Sequence, residues 1–407
     1  MSAVRIFIMN DATRKQLESY LDKCESELDR VMNFWLTNSH DDEHGGFFVC
    51  LGRDGKVYDE TKYCWLQGRQ VWSYCKLYNN IPKYHTEEIL NIAKRGGEFL
   101  MKYVKNPENY KCFFAVTRTG EPIKIQRTIF SECFYMIAMA ELARATGDAK
   151  YKTEAIAMMD HLQHWVMVDD TTLGRPRLSG SPPVNTLAAA MIFIILVEEL
   201  AWDDAELRTK YAPLEEWSLK QTMQHIQRNG EVVLEVVSTE GNELPGSQGR
   251  VMNPGHAIET GWFLLQFAKK RNRPELRDIA ISQFMVKPYL TGWDKEDGGI
   301  FYFLDADGLS PTQLEWNMKL WWPHNEALIA FLMAYRDTRE QQYLDYFQQV
   351  WDYTMKHFVD PDHGGWYGYL SKQGVVSQDF KGGPWKGFFH VPRCLFMCIE
   401  MLKEILK

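Results

Sequence analysis

No apolar run reaches about 18 residues, the length a helix needs to cross a bilayer, so the sequence predicts no transmembrane segment. The first ten residues, MSAVRIFIMN, hold too short an apolar stretch for a secretory signal, and a cytoplasmic protein is expected. Basic residues are not in excess: 46 Lys and Arg stand against 54 Asp and Glu, a net charge of −8, which argues against a nucleic-acid groove as the main function. The eight cysteines, at 24, 50, 64, 75, 112, 133, 394 and 398, lack the close paired spacings of a zinc ribbon and are expected to be reduced thiols. Neither G-x-G-x-x-G nor G-x-x-x-x-G-K-[ST] occurs, so a dinucleotide fold and a P-loop are unsupported; without H-E-x-x-H or a Cys/His cluster, no metal or redox cofactor is predicted.

What is present is a repeat. Asp41-x-x-His44-Gly45-Gly46-Phe47-Phe48 with Gly55 matches Asp294-x-x-Asp297-Gly298-Gly299-Ile300-Phe301 with Gly308, and Asp360-x-x-His363-Gly364-Gly365-Trp366-Tyr367 with Gly374. Each reads as a short hairpin with a glycine turn. Fainter copies turn at Gly120 and Gly241, and a sixth is placed at Gly180, so that turn glycines fall 65, 60, 61, 67 and 66 residues apart. Between them, apolar residues recur at three and four over twelve segments: 13–38, 63–79, 84–106, 127–146, 149–167, 183–201, 205–228, 254–272, 274–289, 323–337, 339–357 and 392–406. Six units that cannot each bury an apolar face alone predict an all-α fold, a double-layered (α/α)6 barrel spanning residues 1–407 as one domain.

Pro183, Pro254, Pro323 and Pro392 precede even segments at intervals of 71, 69 and 69 residues, as proline in a first helical turn would. The even segments are the more continuously apolar and are assigned to the inner ring, which gathers their N-termini at one end. These starts are unusually polar. They bring Tyr63, Trp65, Gln67 and Arg69; Gln126, Ser131 and Glu132; Asn185; Asn253, His256 and Glu259; Glu315, Lys319, Trp321, Trp322, His324 and Glu326; and Lys381, Trp385, Lys386, Phe389, His390 and Arg393. A single histidine at a helix start is ordinarily a cap or a satisfied polar group. Six chain-distant segments delivering such groups to one aromatic rim predict a site.

Glycoside hydrolysis stays open through Glu259, Glu315, Glu326 and Asp379. Two histidines at the same mouth point instead to proton transfer near pH 7, and the helix N-terminus is expected to keep His256 neutral and basic. Removing a proton beside a carbonyl also requires an oxyanion stabiliser, for which Arg69 is the candidate. Two bases on opposite faces of a planar enolate would invert a stereocentre.

Long stretches carry a resemblance to a known family: Tyr-Cys-Trp-Leu-Gln-Gly-Arg-Gln-Val-Trp at 63–72, Gln-Arg-Thr-Ile-Phe-Ser-Glu-Cys-Phe at 126–134, Asn-Pro-Gly-His at 253–256, Gln-Leu-Glu-Trp-Asn-Met-Lys-Leu-Trp-Trp-Pro-His at 313–324, and Lys-Gly-Gly-Pro-Trp-Lys-Gly-Phe-Phe-His-Val-Pro-Arg at 381–393. In these the chain resembles the animal N-acylglucosamine 2-epimerases, also called renin-binding proteins. The resemblance implies an (α/α)6 barrel that interconverts N-acetyl-D-glucosamine and N-acetyl-D-mannosamine through the open-chain sugar. It places the essential residues on Arg69, His256, Glu326 and His390, with both histidines as acid/base groups, Arg69 on the enolate oxygen, and Glu326 orienting a histidine or assisting ring opening. Tyr63, Trp65, Gln67, Glu132, Asn185, Glu259, Lys319, Trp322, His324 and Arg393 are expected to bind the sugar. The resemblance also implies a homodimer and a nucleotide such as ATP as a non-hydrolysed activator, for which the basic turn at Arg175 and Arg177 is the candidate. The leucine series Leu200, Leu207 and Leu214 reads as barrel packing, and Pro213 is expected to end a helix. Two other functions are carried forward: an interaction protein that binds and restrains renin, and an aldose–ketose isomerase.

Overall fold

The computed structural model describes residues 9–174, 180 and 183–407. Twelve helices follow one another: α1 (Asp11–Asn38), α2 (Cys64–Asn80), α3 (Glu87–Phe99, continuing as a π-helical turn to Val104), α4 (Phe130–Thr146), α5 (Ala149–Met167) and α6 (Leu187–Ala201). Then come α7 (Ala205–Met223), α8 (Pro254–Lys270), α9 (Glu275–Ile279, a π-helical Ala280–Val286 and Lys287–Gly292 end to end), α10 (Trp321–Thr338), α11 (Gln341–His357) and α12 (His390–Leu406). Each even helix packs on the next even one, and α12 returns to α2, which closes an inner ring. The odd helices pack outside it, α1 on α12, α3 on α2, α5 on α4, α7 on α6, α9 on α8 and α11 on α10. The chain is therefore an (α/α)6 barrel. The inner position explains why helices such as α10, buried from Trp321 to Tyr335 without a break, lack a polar face.

Helix boundaries differ from the sequence expectation where strands intervene. Pro254 is the first residue of α8, with Asn253 Oδ1 capping the His256 N–H at 3.1 Å, whereas Pro183 lies before a strand, Val184–Thr186, that pairs with Val236–Ser238 and delays α6 to Leu187. Pro213 does not end α7: it is an exposed residue inside a 19-residue helix, where water can meet the carbonyl that loses its partner. Leu200, Leu207 and Leu214 are buried in the barrel core. The sixth hairpin, at 173–180, and the basic turn of Arg175 and Arg177 fall largely outside the described residues.

The hairpins are stapled around the rim. The strand before each of several inner helices pairs with the hairpin of the next unit: Lys62–Tyr63 with Ala115–Val116, Val251–Met252 with Leu304–Asp305, and Lys319–Leu320 with Tyr369–Leu370. Backbone bonds from Lys381 and Gly382 to Leu51 link the last unit to the first. Within the three strong repeats one device recurs. Two successive glycines in the left-handed region turn the chain (Gly45 and Gly46, Gly298 and Gly299, Gly364 and Gly365), a conformation that other residues adopt at a cost. A buried lysine then holds the loop's aspartate: Lys62 to Asp41 at 2.8 Å, Lys319 to Asp294 at 2.7 Å and Lys381 to Asp360 at 2.8 Å.

Five residues after each lysine a second side chain secures the residue that follows the glycine pair. Gln67 clamps both backbone groups of Phe47 at 2.8 Å, His324 Nε2 accepts the Ile300 N–H at 3.0 Å, and Lys386 Nζ donates to the Trp366 carbonyl at 2.8 Å. Gln67, Lys319 and His324, expected from the sequence among the sugar-binding residues, have their polar groups engaged in holding the hairpins over the ring.

Lys319→Met leaves the buried Asp294 carboxylate with the Glu296 N–H and the more distant Lys372 at 3.7 Å, so its cost falls at the low end of the about 3–5 kcal/mol for removing one partner of a buried pair. We expect a loss of that size in urea unfolding, partly recovered by adding Asp294→Leu. His324, fully buried, donates from Nδ1 to the Leu320 carbonyl at 2.6 Å, and burial pulls its pKa from 6.5 to about 3. Between those values the unfolded chain binds the proton and the folded chain does not, so stability falls as pH falls, by about 1.4 kcal/mol per pH unit. His324→Gln should flatten the dependence of unfolding free energy on pH between about 6 and 4 by that amount.

Candidate active site

Two cavities of about 730 and 700 Å³ meet inside the ring and share Trp65, Arg69, His256, Glu259 and Trp385. The outer one opens among the hairpins, walled by Tyr302, Trp321, Trp322, Tyr369, Phe380 and His390. The deeper one follows the inner helices away from their N-termini.

His390 is the first residue of α12. Its Nδ1 lies 2.7 Å from Oε1 of Glu326, a fully buried residue on α10. Against a carboxylate that nitrogen carries the proton, which leaves Nε2 as the free base. The same Oε1 accepts from Arg393 Nη2 at 2.6 Å, and Oε2 accepts from Trp262 Nε1 at 2.9 Å. Arg393 also donates to Glu259 at 2.7 Å. Burial, then the Arg69 and Arg393 charges, press the His390 pKa well below the ordinary imidazole value.

His256, one turn into α8, is tied the same way to a different carboxylate: Nδ1 stands 2.9 Å from Glu235 Oε1. Glu235 sits between strands Val232–Val233 and Val236–Ser238, its backbone held by Val251 and Leu187. Burial opposes the charged form, but Glu235 by charge and hydrogen bond, with Glu259 and Glu326 farther off, raises the His256 pKa. The expectation of a depressed, neutral His256 is overturned: a charged partner at 2.9 Å outweighs the helix N-terminus, and His390 is the depressed member. The Trp322 ring lies 5.0 Å from that of His256 and 5.9 Å from that of His390, so both imidazoles face one indole.

Arg69 completes the group. Its guanidinium lies over Trp65, Phe134 and Phe389 at 4.3, 4.1 and 4.5 Å, and its buried Nε has no hydrogen-bond partner. Burial and the Arg393 charge pull its pKa to about 9, against Glu259 and Glu326, so it is still a cation at pH 7. An unpaired cation in an aromatic cage beside two imidazoles is a receptor for negative charge that appears during a reaction.

Of the sequence-predicted residues, Arg69, His256, Glu259, Glu326, His390, Arg393, Trp65 and Trp322 come together here. Gln67, Lys319 and His324 are engaged with the hairpins, and three others also lie apart from the group. Glu132 pairs with Lys111 at 2.7 Å and accepts the Cys112 N–H at 2.9 Å, behind the cavity wall. Asn185 turns outward to the Gln221 carbonyl on α7 and to Gln224 at its C-terminal end. Tyr63 packs edge-on to Phe114 in the hairpin layer. Glu235 is not among the residues the helix starts bring together; its sequence signal is that it is the single charged residue in Val232-Val233-Leu234-Glu235-Val236-Val237. Glu259, Glu326 and His390 offer ligand atoms within 4.8 Å of one another, but Arg393 bonds both carboxylates, and a cation there would compete with it.

A closed (α/α)6 ring with paired histidines in its mouth places the chain among sugar-epimerase folds. A cellobiose 2-epimerase from Spirochaeta thermophila superposes with a TM-score of 0.81 at 22% identity, over 98% of this chain and all of that one. Residues 46–394 match the family model described as N-acylglucosamine 2-epimerase (GlcNAc 2-epimerase). The N-acylglucosamine 2-epimerase of Mus musculus is 54% identical over 395 residues, covering 97% of this chain and 94% of that protein; the Homo sapiens one is 54% identical over 394 residues, covering 97% and 92%. The chain belongs to the N-acylglucosamine 2-epimerase family.

Among the described residues, His256 is the one side chain that Glu235 hydrogen-bonds. Glu235→Gln should lower the His256 pKa and so move one limb of the kcat/KM–pH profile to lower pH. With that shift kcat should fall about 10²-fold, the lower end of acid–base contributions, and KM should change less; pH-rate profiles of both enzymes check this.

Proposed function

We propose that the chain is an N-acylglucosamine 2-epimerase that interconverts N-acetyl-D-glucosamine and N-acetyl-D-mannosamine, and that residues 1–407 act as one catalytic domain. The observation that carries this is the pair of carboxylate-backed histidines, His256–Glu235 and His390–Glu326, in one cavity with the unpaired Arg69. In the open-chain sugar the proton on carbon 2 is acidified by the aldehyde. Starting from one epimer, the neutral Nε2 of His390 takes that proton. The electron pair moves through the C1–C2 bond onto the aldehyde oxygen, where Arg69 balances the charge. His256, whose raised pKa favours its imidazolium, returns a proton to carbon 2 from the other face. The opposite direction exchanges the two roles. Glu326 orients His390 and Arg393 anchors Glu326, while Trp322 and Trp65 supply flat apolar surfaces to the sugar chain.

The protein is further proposed to be a cytoplasmic homodimer. All eight cysteines are free and buried, in keeping with a reducing compartment, and no helix among the described residues is long and apolar enough to cross a membrane. A nucleotide activator belongs to the same proposal. Arg228 and Arg273, both half-buried, are already paired with carboxylates and suit a triphosphate poorly. A cavity furnished with two histidine–carboxylate pairs serves no purpose in a renin-restraining protein, which puts the enzyme reading ahead of that one.

Proton NMR of purified protein with N-acetylmannosamine tests the proposal: N-acetylglucosamine should appear. With mannose in its place, a fructose product would establish an aldose–ketose isomerase, and no product from N-acetylmannosamine with or without ATP would contradict the enzyme reading. Arg69→Met should lower kcat about 10²–10³-fold, the worth of one oxyanion donor, with KM nearly unchanged.

A further inference from the structure

The deep half of the cavity is larger and more apolar than exchange of one proton requires. Beyond Arg69 and Glu259 its wall is apolar at Phe134, Ile192, Ile195 and Phe263, contributed by α4, α6 and α8, and turns charged at the far end, at Lys76 and Glu400. On α6 the apolar lining continues from Ala188 to Leu196, about 12 Å at 1.5 Å per residue. The whole cavity, which also reaches Phe114 and Gln126 at the hairpin end, measures about 730 Å³, within the roughly 300–1,000 Å³ range that takes a drug-sized ligand, and it shares Arg69, His256 and Glu259 with the outer cavity.

An open-chain acylated hexosamine extends two arms from carbon 2. The polyol arm carries hydroxyls that need partners, and Tyr302, Glu315, Tyr369 and Gln378 offer them in the outer cavity. The other arm is the N-acyl group, whose chain has no polar atom beyond its amide. With carbon 2 held between His256 and His390 and the aldehyde oxygen at Arg69, polarity matching sends the polyol outward and the acyl chain inward. We propose that the chamber below Arg69 is a binding site for the substrate's N-acyl chain, deep enough for linear acyl groups well beyond acetyl. The substrate class is then N-acylhexosamines with short to medium aliphatic chains. This rests on the epimerase reading and adds the orientation and the acyl range to it.

The test is a kinetic series with N-acetyl-, N-butanoyl-, N-hexanoyl- and N-octanoylmannosamine on the full chain. Burial of a methylene is worth up to about fourfold in affinity. KM should therefore fall from acetyl to hexanoyl while kcat stays within about threefold. A drop in kcat/KM of more than about tenfold already at butanoyl, with normal acetyl turnover, overturns the chamber and leaves the epimerase standing; absence of acetyl turnover sinks the reading beneath it. Ile195→Trp and Ile192→Phe, which narrow the chamber, should each lower the hexanoyl-to-acetyl ratio of kcat/KM by about tenfold. An unchanged ratio in both would place the acyl chain elsewhere.

Discussion

Glu326 is the carboxylate on which the interior of the site depends. It is fully buried, and its two oxygens accept from His390 at 2.7 Å, Arg393 at 2.6 Å and Trp262 at 2.9 Å. A carboxylate so placed is tolerable only because each donor offsets part of its desolvation, and Arg393 is held by Glu259 in the same network. The chain brings these groups together by closing the ring: Glu326 rides on α10, His390 and Arg393 on α12, Trp262 and Glu259 on α8. Ring closure in turn needs the hairpins fixed over the helix starts, which the Asp–Lys clamps provide.

The site is symmetric in plan and asymmetric in charge. Both histidines use Nδ1 on a carboxylate and direct their remaining nitrogen elsewhere. Glu326 divides its charge among three donors and leaves His390 surrounded by Arg69 and Arg393, so burial dominates and the imidazole is neutral. Among the described residues, His256 is the one side chain that Glu235 hydrogen-bonds, its other oxygen having no partner, and the imidazolium is favoured. One imidazole held toward its neutral form and the other toward its charged form suit removal and return of a proton in one direction, and exchange of the proton prepares the other.

The barrel was legible because its information is local. Glycine pairs, apolar periodicity and proline positions each need only a short window, and six units repeat them. The helix starts slipped where a strand took the residues first, as before α6. Within the site, residues at the rim were legible as a group but not individually. Gln67, His324 and Lys386 each stand five residues after a clamp lysine, so the repeat that revealed the fold also identifies them as hairpin clamps. Side-chain type alone had suggested sugar ligands for Gln67 and His324. Glu132 and Asn185 depend on partners in the neighbouring hairpin layer and outer helix, which no window along the chain contains. Glu235 is marked by its isolation in an apolar strand, but its pairing with His256 is settled only by the fold.

The central claim is that two histidines with separate carboxylates act from opposite sides of one carbon. The most direct measurement is early-time epimerisation of protiated N-acetylmannosamine in deuterium oxide, with carbon 2 labelling read separately in substrate and product. The account predicts deuterium in nearly all of the N-acetylglucosamine formed while the remaining N-acetylmannosamine keeps its protium. Protium carried into the product, or deuterium entering both pools at equal rates, would mean a single base and contradict it.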